Sequence, residues 1–291
     1  YVLWFSSERL AMINGLQMVA GGLGALGATI PLQNALSYTD WRGVFTGLAV
    51  ITVFASICLW VFLPENKRTD EKLPSLKLQL KEMGEVFRSR IFWDIAPLAA
   101  ISQGANMAIN GLWMKPWLRD VAGLNSDNAA QLLFVMTLAF IGGFLTLGII
   151  AERLSQLFDI RPISISVWGM TLFLFIQGTM IFGGFGSPLI LVLLLGFFGT
   201  ASVLVYAGYA QIFPKYLSGR VSTILNLLVF ICAFILQWGV GVIIEIWPAT
   251  ETGYAPESYQ AALGVLFLLQ AAGLIWYFLS LKFSRKQGVL I

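Results

Sequence analysis

Eight apolar blocks of membrane-spanning length dominate this 291-residue chain, and one long polar run interrupts them. The blocks are Ala11–Leu32, Gly43–Leu63, Ile95–Met114, Ala129–Ala151, Ile163–Phe185, Leu189–Phe213, Val221–Ile244 and Gln260–Leu281. A helix needs about 20 apolar residues to cross roughly 30 Å of hydrocarbon. Within lipid a helix is stable because it satisfies its own backbone hydrogen bonds. The expected fold is an all-α integral membrane protein with eight transmembrane helices. Composition agrees: 11% of residues are charged, against about a quarter in a soluble domain.

The polar run, Pro64–Arg90, falls between the second and third blocks. It holds seven of the eighteen basic residues: Lys67, Arg68, Lys72, Lys77, Lys81, Arg88 and Arg90. If the run is cytoplasmic, alternate linkers place fifteen basic residues inside and only Arg42, Lys115 and Arg119 outside. That is the positive-inside pattern. It puts both ends of the chain in the cytoplasm and points to a bacterial inner membrane. Within the run, Leu76, Leu80, Met83 and Phe87 recur at helical spacing, with Lys77, Lys81 and Arg88 elsewhere on the wheel. Ser75–Arg90 is therefore either a surface helix with its bases toward anionic head groups or a solvated linker.

Composition also excludes. The chain has no His, which removes Ser-His-Asp triads and most zinc sites. Cys58 and Cys232 both lie inside apolar blocks and read as small buried hydrophobes. No cofactor or metal is expected, and a net charge of +3 gives no nucleic-acid signal. Glycines crowd the first block (Gly15, Gly21, Gly22, Gly24, Gly27) and the fourth (Gly142, Gly143, Gly148), where small residues let helices approach closely.

No acid or base lies in the middle of a block, so intramembrane charges, the usual marks of proton and ion pathways, are missing there. Neutral polar residues do enter. In the third block, Gln103, Asn106 and Asn110 share an arc of roughly 60°, with Trp113 at its edge. In the sixth, Ser202, Tyr206 and Tyr209 share a similar arc. In the seventh, Ser222, Asn226, Phe230, Ala233 and Gln237 form a stripe beside Trp238. Such groups either bind helices together or line a cavity. Three carboxamides on one face exceed what packing requires, because each brings donors and acceptors that cost free energy when unpaired in lipid. Amides with aromatic walls suit a neutral or zwitterionic organic solute. Gln177 and Gln270 read as interhelical contacts.

Several motifs, taken in order, resemble the major facilitator superfamily. Ser7-Glu8-Arg9, the glycine-rich block and Trp41-Arg42-Gly43-Val44-Phe45 resemble the family's fifth and sixth helices, and Pro64-Glu65 the end of the sixth. Gly148-Ile149-Ile150-Ala151-Glu152-Arg153 resembles its G-x-x-x-D-R loop motif, with Glu for Asp. Phe213–Arg220 resembles the loop between helices ten and eleven. The resemblance implies a partial fold: residues 1–66 end the N-terminal half, 67–90 form the central cytoplasmic loop, and 91–291 form the complete C-terminal half. It implies that helices seven, ten and eleven face a central cavity, which agrees with the polar stripes. It further implies that Glu152, with Arg153, latches one state by facing the start of the seventh block.

The resemblance leaves helices one to four unaccounted for, so the chain is expected to be a fragment of a longer gene product, inactive in transport by itself. The expected function is alternating-access transport of a small organic solute across the lipid bilayer. A nitrate porter is disfavoured because the blocks contain no arginine. The drug-antiporter signature is only shadowed by Gly24, Gly27 and Pro31. Two other classes compete: a transporter-like sensor that binds without moving solute, and a membrane enzyme, disfavoured because the cytosolic acids are scattered among bases.

Overall fold

The computed structural model describes residues 9–27, 35–36, 38–62, 75–183, 186–249 and 253–286. Ser7-Glu8, Pro31, Pro64-Glu65 and the bases Lys67, Arg68 and Lys72 lie outside the described residues. In chain order the helices are α1 (Leu10–Gly27), α2 (Trp41–Phe62), α3 (Leu76–Arg88), α4 (Arg90–Ala108), α5 (Met114–Asp120), α6 (Ser126–Phe158), α7 (Pro162–Phe182), α8 (Pro188–Gly199), α9 (Leu204–Ile212), α10 (Ser218–Ile244) and α11 (Pro256–Lys286). A π turn, Ile109–Trp113, joins α4 to α5, and a 3₁₀ turn, Ala201–Val203, joins α8 to α9.

Six helical stretches among the described residues are long and apolar enough to cross a membrane: α2, α6, α7, α8–α9, α10 and most of α11. The third expected span is helical but stands outside that group. Asp94, Gln103 and Asn106 lower the hydropathy of α4. The helix also begins at Arg90, five residues before the block expected from sequence, and takes Asp94 inside, 2% exposed. Arg90 Nε stands 4.0 Å from its carboxylate, one turn away. Of the first expected span, the described helix covers Leu10–Gly27.

Two large apolar clusters and a smaller one fill the bundle. One large cluster gathers Ile109, Met114, Leu118, Met136, Leu195, Val240 and Tyr259 near α5 and the start of α11. The other gathers Val86, Phe92, Ile95, Val205, Tyr209, Val221 and Leu225 near α3 and the start of α10. Helix α4 runs through both, packed along α10 and α11. Helix α6 lies between α1 and α8. Helix α2 buries none of its residues.

In lipid, tail contacts are as apolar as helix contacts, so close packing and hydrogen bonds must hold the helices together. Glycine supplies the close packing at α6. A Cβ on Gly143 would lie 2.6 Å from Phe197 O, and one on Gly196 would lie 2.7 Å from Met136 O. On α1, Gly15 meets the backbone at Phe144, and a Cβ on Gly22 would lie 2.7 Å from Ile141 Cγ1. Gly21, Gly24, Gly27 and Gly142 face open space. Positions 15 and 22 are two turns apart on one face of α1, the face turned to α6.

Hydrogen bonds close other seams. Gln270 Nε2 donates to Gln177 Oε1 (2.5 Å), and Gln177 Nε2 donates to Leu263 O (3.2 Å), joining α7 to α11. Asp120 accepts from Tyr259 Oη (2.5 Å) and from the Tyr254 N–H (3.1 Å), tying the end of α5 to the start of α11. Gly143→Val should lower the thermal midpoint of the purified protein, because overpacking a tight contact costs about 1–3 kcal/mol. Gly142→Ala, into open space, should leave the midpoint within a degree or two of the parent or raise it.

Candidate functional site

The polar face of α4 sits where helical regularity fails twice. The first failure is Pro97. Lacking an N–H, it cannot bond the carbonyl one turn back, that of Trp93. That carbonyl accepts from Trp276 Nε1 on α11 instead (2.8 Å). One residue earlier, Phe92 O accepts from Tyr209 Oη (2.6 Å). The second failure is the π turn, in which Met114 N–H reaches Ile109 O, five residues back. Such single-turn bulges inside α-helices occur frequently at functional sites.

Gln103 and Asn106 stand between the two breaks, and Asn110 lies within the π turn itself. Asn110 Nδ2 donates to both Asn106 O (2.8 Å) and Asn106 Oδ1 (2.7 Å). The Asn106 amide rests against α8, where a Cβ on Gly199 would come within 2.8 Å of Asn106 Cγ. Gln103 lies 60° round the helix from Asn106, and its Oε1 is buried without a hydrogen-bond partner. Ser202, in the 3₁₀ turn that packs against α4, is also buried with its Oγ unpartnered. The Ala201 carbonyl of the same turn accepts from Ser166 Oγ on α7 (2.7 Å). Helix α4 and the 3₁₀ turn packed against it thus each bring an unpaired oxygen acceptor into the bundle.

Helix α10 closes one side. Gln237 Nε2 donates to Met107 O (3.2 Å), and Gln237 O accepts from Trp113 Nε1 (3.0 Å). This reciprocal clip holds the π turn against α10. Small residues make the approach possible. A Cβ on Gly241 would lie 3.2 Å from the Trp113 ring, and one on Gly104 would lie 2.9 Å from the Ala233 amide nitrogen. Next along, Tyr206 Oη and Asn226 Oδ1 are 3.3 Å apart, linking α9 to α10.

The structure therefore brings Gln103, Asn106, Asn110, Trp113 and Gln237 into one group, and places Tyr206 with Asn226 as a second pair. Tyr209 stands apart. It is 1% exposed, stacked on Phe92 at 5.6 Å and hydrogen-bonded to its carbonyl, so it fills the core between α4 and α9. The stripe on α10 also divides: Ala233 and Gln237 turn toward α4, while Asn226, Phe230 and Trp238 are exposed.

The start of α10 is engaged differently from the expectation. Among the described residues, Glu152 accepts from Gln156 Nε2 on its own helix (3.3 Å) rather than from the start of α10, and Arg153 is exposed. The carboxylates at α10 come from α3. Arg220 Nε, in the first turn of α10, donates to Glu82 Oε2 (3.0 Å), and Tyr216 Oη lies 3.4 Å from Glu85 Oε2. Acidic side chains favour a helix start, and α3 delivers two of them there while α6 delivers none. The π turn, the 3₁₀ turn and the α3 contact escaped sequence reading. Asn110-Gly111 inside an apolar block and the small-residue run Gly199-Thr200-Ala201-Ser202 were the available signals for the two turns.

None of the curated proteins matches this chain. A family model, the Major Facilitator Superfamily, matches residues 2–236. That match spans most of the chain, and the all-helical architecture with its apolar spans agrees with it. The chain belongs to the Major Facilitator Superfamily, a family of membrane transporters.

Proposed function

We propose that this protein is a secondary transporter for a small neutral or zwitterionic organic solute, working by alternating access with its eight expected spans crossing the membrane and the 64–90 run in the cytoplasm. One observation carries the reading: Gln103 Oε1 is buried without a partner, between two helix breaks, beside the Asn106–Asn110 pair. A buried acceptor left unpaired costs about 1–3 kcal/mol. A solute N–H or O–H donated to Gln103 recovers it. Discontinuous helices near the membrane midplane supply such binding groups in many transporters. Trp113, Tyr206 and the exposed Phe230 offer apolar walls, while Asn226 and Gln237 set the polar rim on α10.

Counterflow of radiolabelled neutral and amino-acid solutes into proteoliposomes holding the full gene product tests this reading. Gln103→Leu should raise KM for the transported solute roughly tenfold, equivalent to about 1.4 kcal/mol of lost binding. Tyr209→Phe, which removes a core hydrogen bond remote from the solute, should lower thermal stability and leave KM unchanged. Counterflow by the parent protein for no solute in the panel, with Gln103→Leu still binding ligands like the parent, would sink the reading.

We assign Glu82–Arg220 to holding the cytoplasmic end in the state described here, and Glu152 with Arg153 to another state of the cycle. Glu82→Arg should slow transport, and adding Arg220→Glu should restore much of it. Glu152→Lys should slow transport without preventing membrane insertion, read as protein recovered in the membrane fraction.

A further inference from the structure

Helix α3 sorts its side chains onto three sides. The first faces the protein. Val86 is fully buried beside Phe92, Ile95, Leu217 and Val221, and Glu82 holds Arg220. The second is apolar and bare. Leu76, Leu80 and Phe87 are 72%, 61% and 40% exposed and share an arc of roughly 40° at about 100° per residue. The third is basic. Lys77, Lys81 and Arg88 share another arc of roughly 40°, centred about 100° from the apolar one. The helix thus turns its acids toward α10 and presents its bases and bare apolar side chains to the surroundings.

The bare stripe is continuous with the membrane-facing surface of the bundle. The Phe87 ring lies 6.4 Å from Trp93, and Trp93 Nε1 donates to Phe87 O (2.7 Å). Trp276 Nε1 in turn donates to Trp93 O. Both indoles are well exposed, and on α11 Trp276 is followed by exposed Phe278, Leu279 and Phe283. Trp concentrates where a membrane meets water. This chain of contacts sets the apolar stripe of α3 level with the cytoplasmic boundary of the hydrocarbon. A basic row beside an apolar stripe at that level matches an anionic lipid surface: the leucines and Phe87 enter the acyl boundary, and the cations reach head-group phosphates.

We propose that α3 docks on the anionic phospholipids of the cytoplasmic leaflet, and that this docking steadies the Glu82–Arg220 contact at the start of α10. The inference rests on the proposed cytoplasmic placement of the 64–90 run, and it stands independently of the solute.

The test uses the full protein with Cys58 and Cys232 replaced by Ala and an environment-sensitive fluorophore on Leu80→Cys. Vesicles of phosphatidylcholine alone are compared with vesicles also containing phosphatidylglycerol. With phosphatidylglycerol, emission should shift to the blue, brominated acyl chains should quench the label and aqueous iodide should not. Lys77→Gln, Lys81→Gln and Arg88→Gln together should cut the bromolipid quenching roughly twofold or more, as should molar salt on the parent, which screens exposed charges. The salt arm decides the matter if the triple variant does not fold. Equal iodide access in both lipids would overturn the proposal in favour of a solvated helix. Protection that ignores lipid charge but rises with the protein-to-lipid ratio would overturn it in favour of a protein partner.

Discussion

A polar group inside a bilayer has no water to fall back on, and the arrangement of this bundle follows from how each such group is matched. Pro97 frees the Trp93 carbonyl, and the Trp276 indole on α11 takes it. The Ala201 carbonyl in the 3₁₀ turn is met by Ser166. Gln177 and Gln270 answer one another across α7 and α11. Each match joins two helices, so defects in single helices become the cross-links of the whole. Because lipid gives little apolar drive for helices to associate, these bonds and the glycine contacts at α6 carry an unusual share of the fold.

Against that background the unmatched groups stand out. Gln103 Oε1 and Ser202 Oγ are buried without partners, as is Gln270 Oε1, whose amide nitrogen nonetheless bonds Gln177 across the seam. A helix bundle needing only cohesion would bond the Gln103 amide to a neighbouring helix, as it bonds those of Gln177 and Gln270. Asn106 and Asn110 show the intermediate case, tied to each other along one helix and so contributing little to holding helices together. This division between cross-linking amides and idle ones is the physical ground for reading the α4 face as a binding surface.

Six of the expected spans were legible because membrane hydropathy is a strong local signal, and the clustering of Gln103, Asn106 and Asn110 because helical spacing is regular. What failed depends on exceptions to that regularity. The third expected block began at Ile95, just past Asp94, yet the helix starts at Arg90 and buries that carboxylate. Tyr206 and Tyr209 share an arc by spacing, yet α4 contacts one edge of that arc, so Tyr209 is core while Tyr206 pairs with Asn226. No hydropathy pattern encodes the switch from four-residue to five-residue hydrogen bonding at Ile109–Trp113. That switch instead rests on tertiary support, the Gln237 clip to Met107 and Trp113.

The start of α10 shows the same dependence at the aqueous boundary. A helix N-terminus carries partial positive charge and attracts a carboxylate from whichever element can reach it. The sequence motif around Glu152 suggested α6 as the supplier, but Glu152 is engaged by Gln156 one turn away on its own helix. Helix α3 can reach because Val86 anchors it in the core beside Phe92 and Val221, which aims Glu82 at Arg220. Exposed ion pairs contribute little alone. This one is half-shielded, with Glu82 13% and Arg220 31% exposed at the side chain, and it is backed by apolar packing. The polar run that interrupts the apolar blocks therefore acts as more than a connector: its helical half packs onto α4 and α10, placing its charges within reach of the same two helices that carry the candidate site.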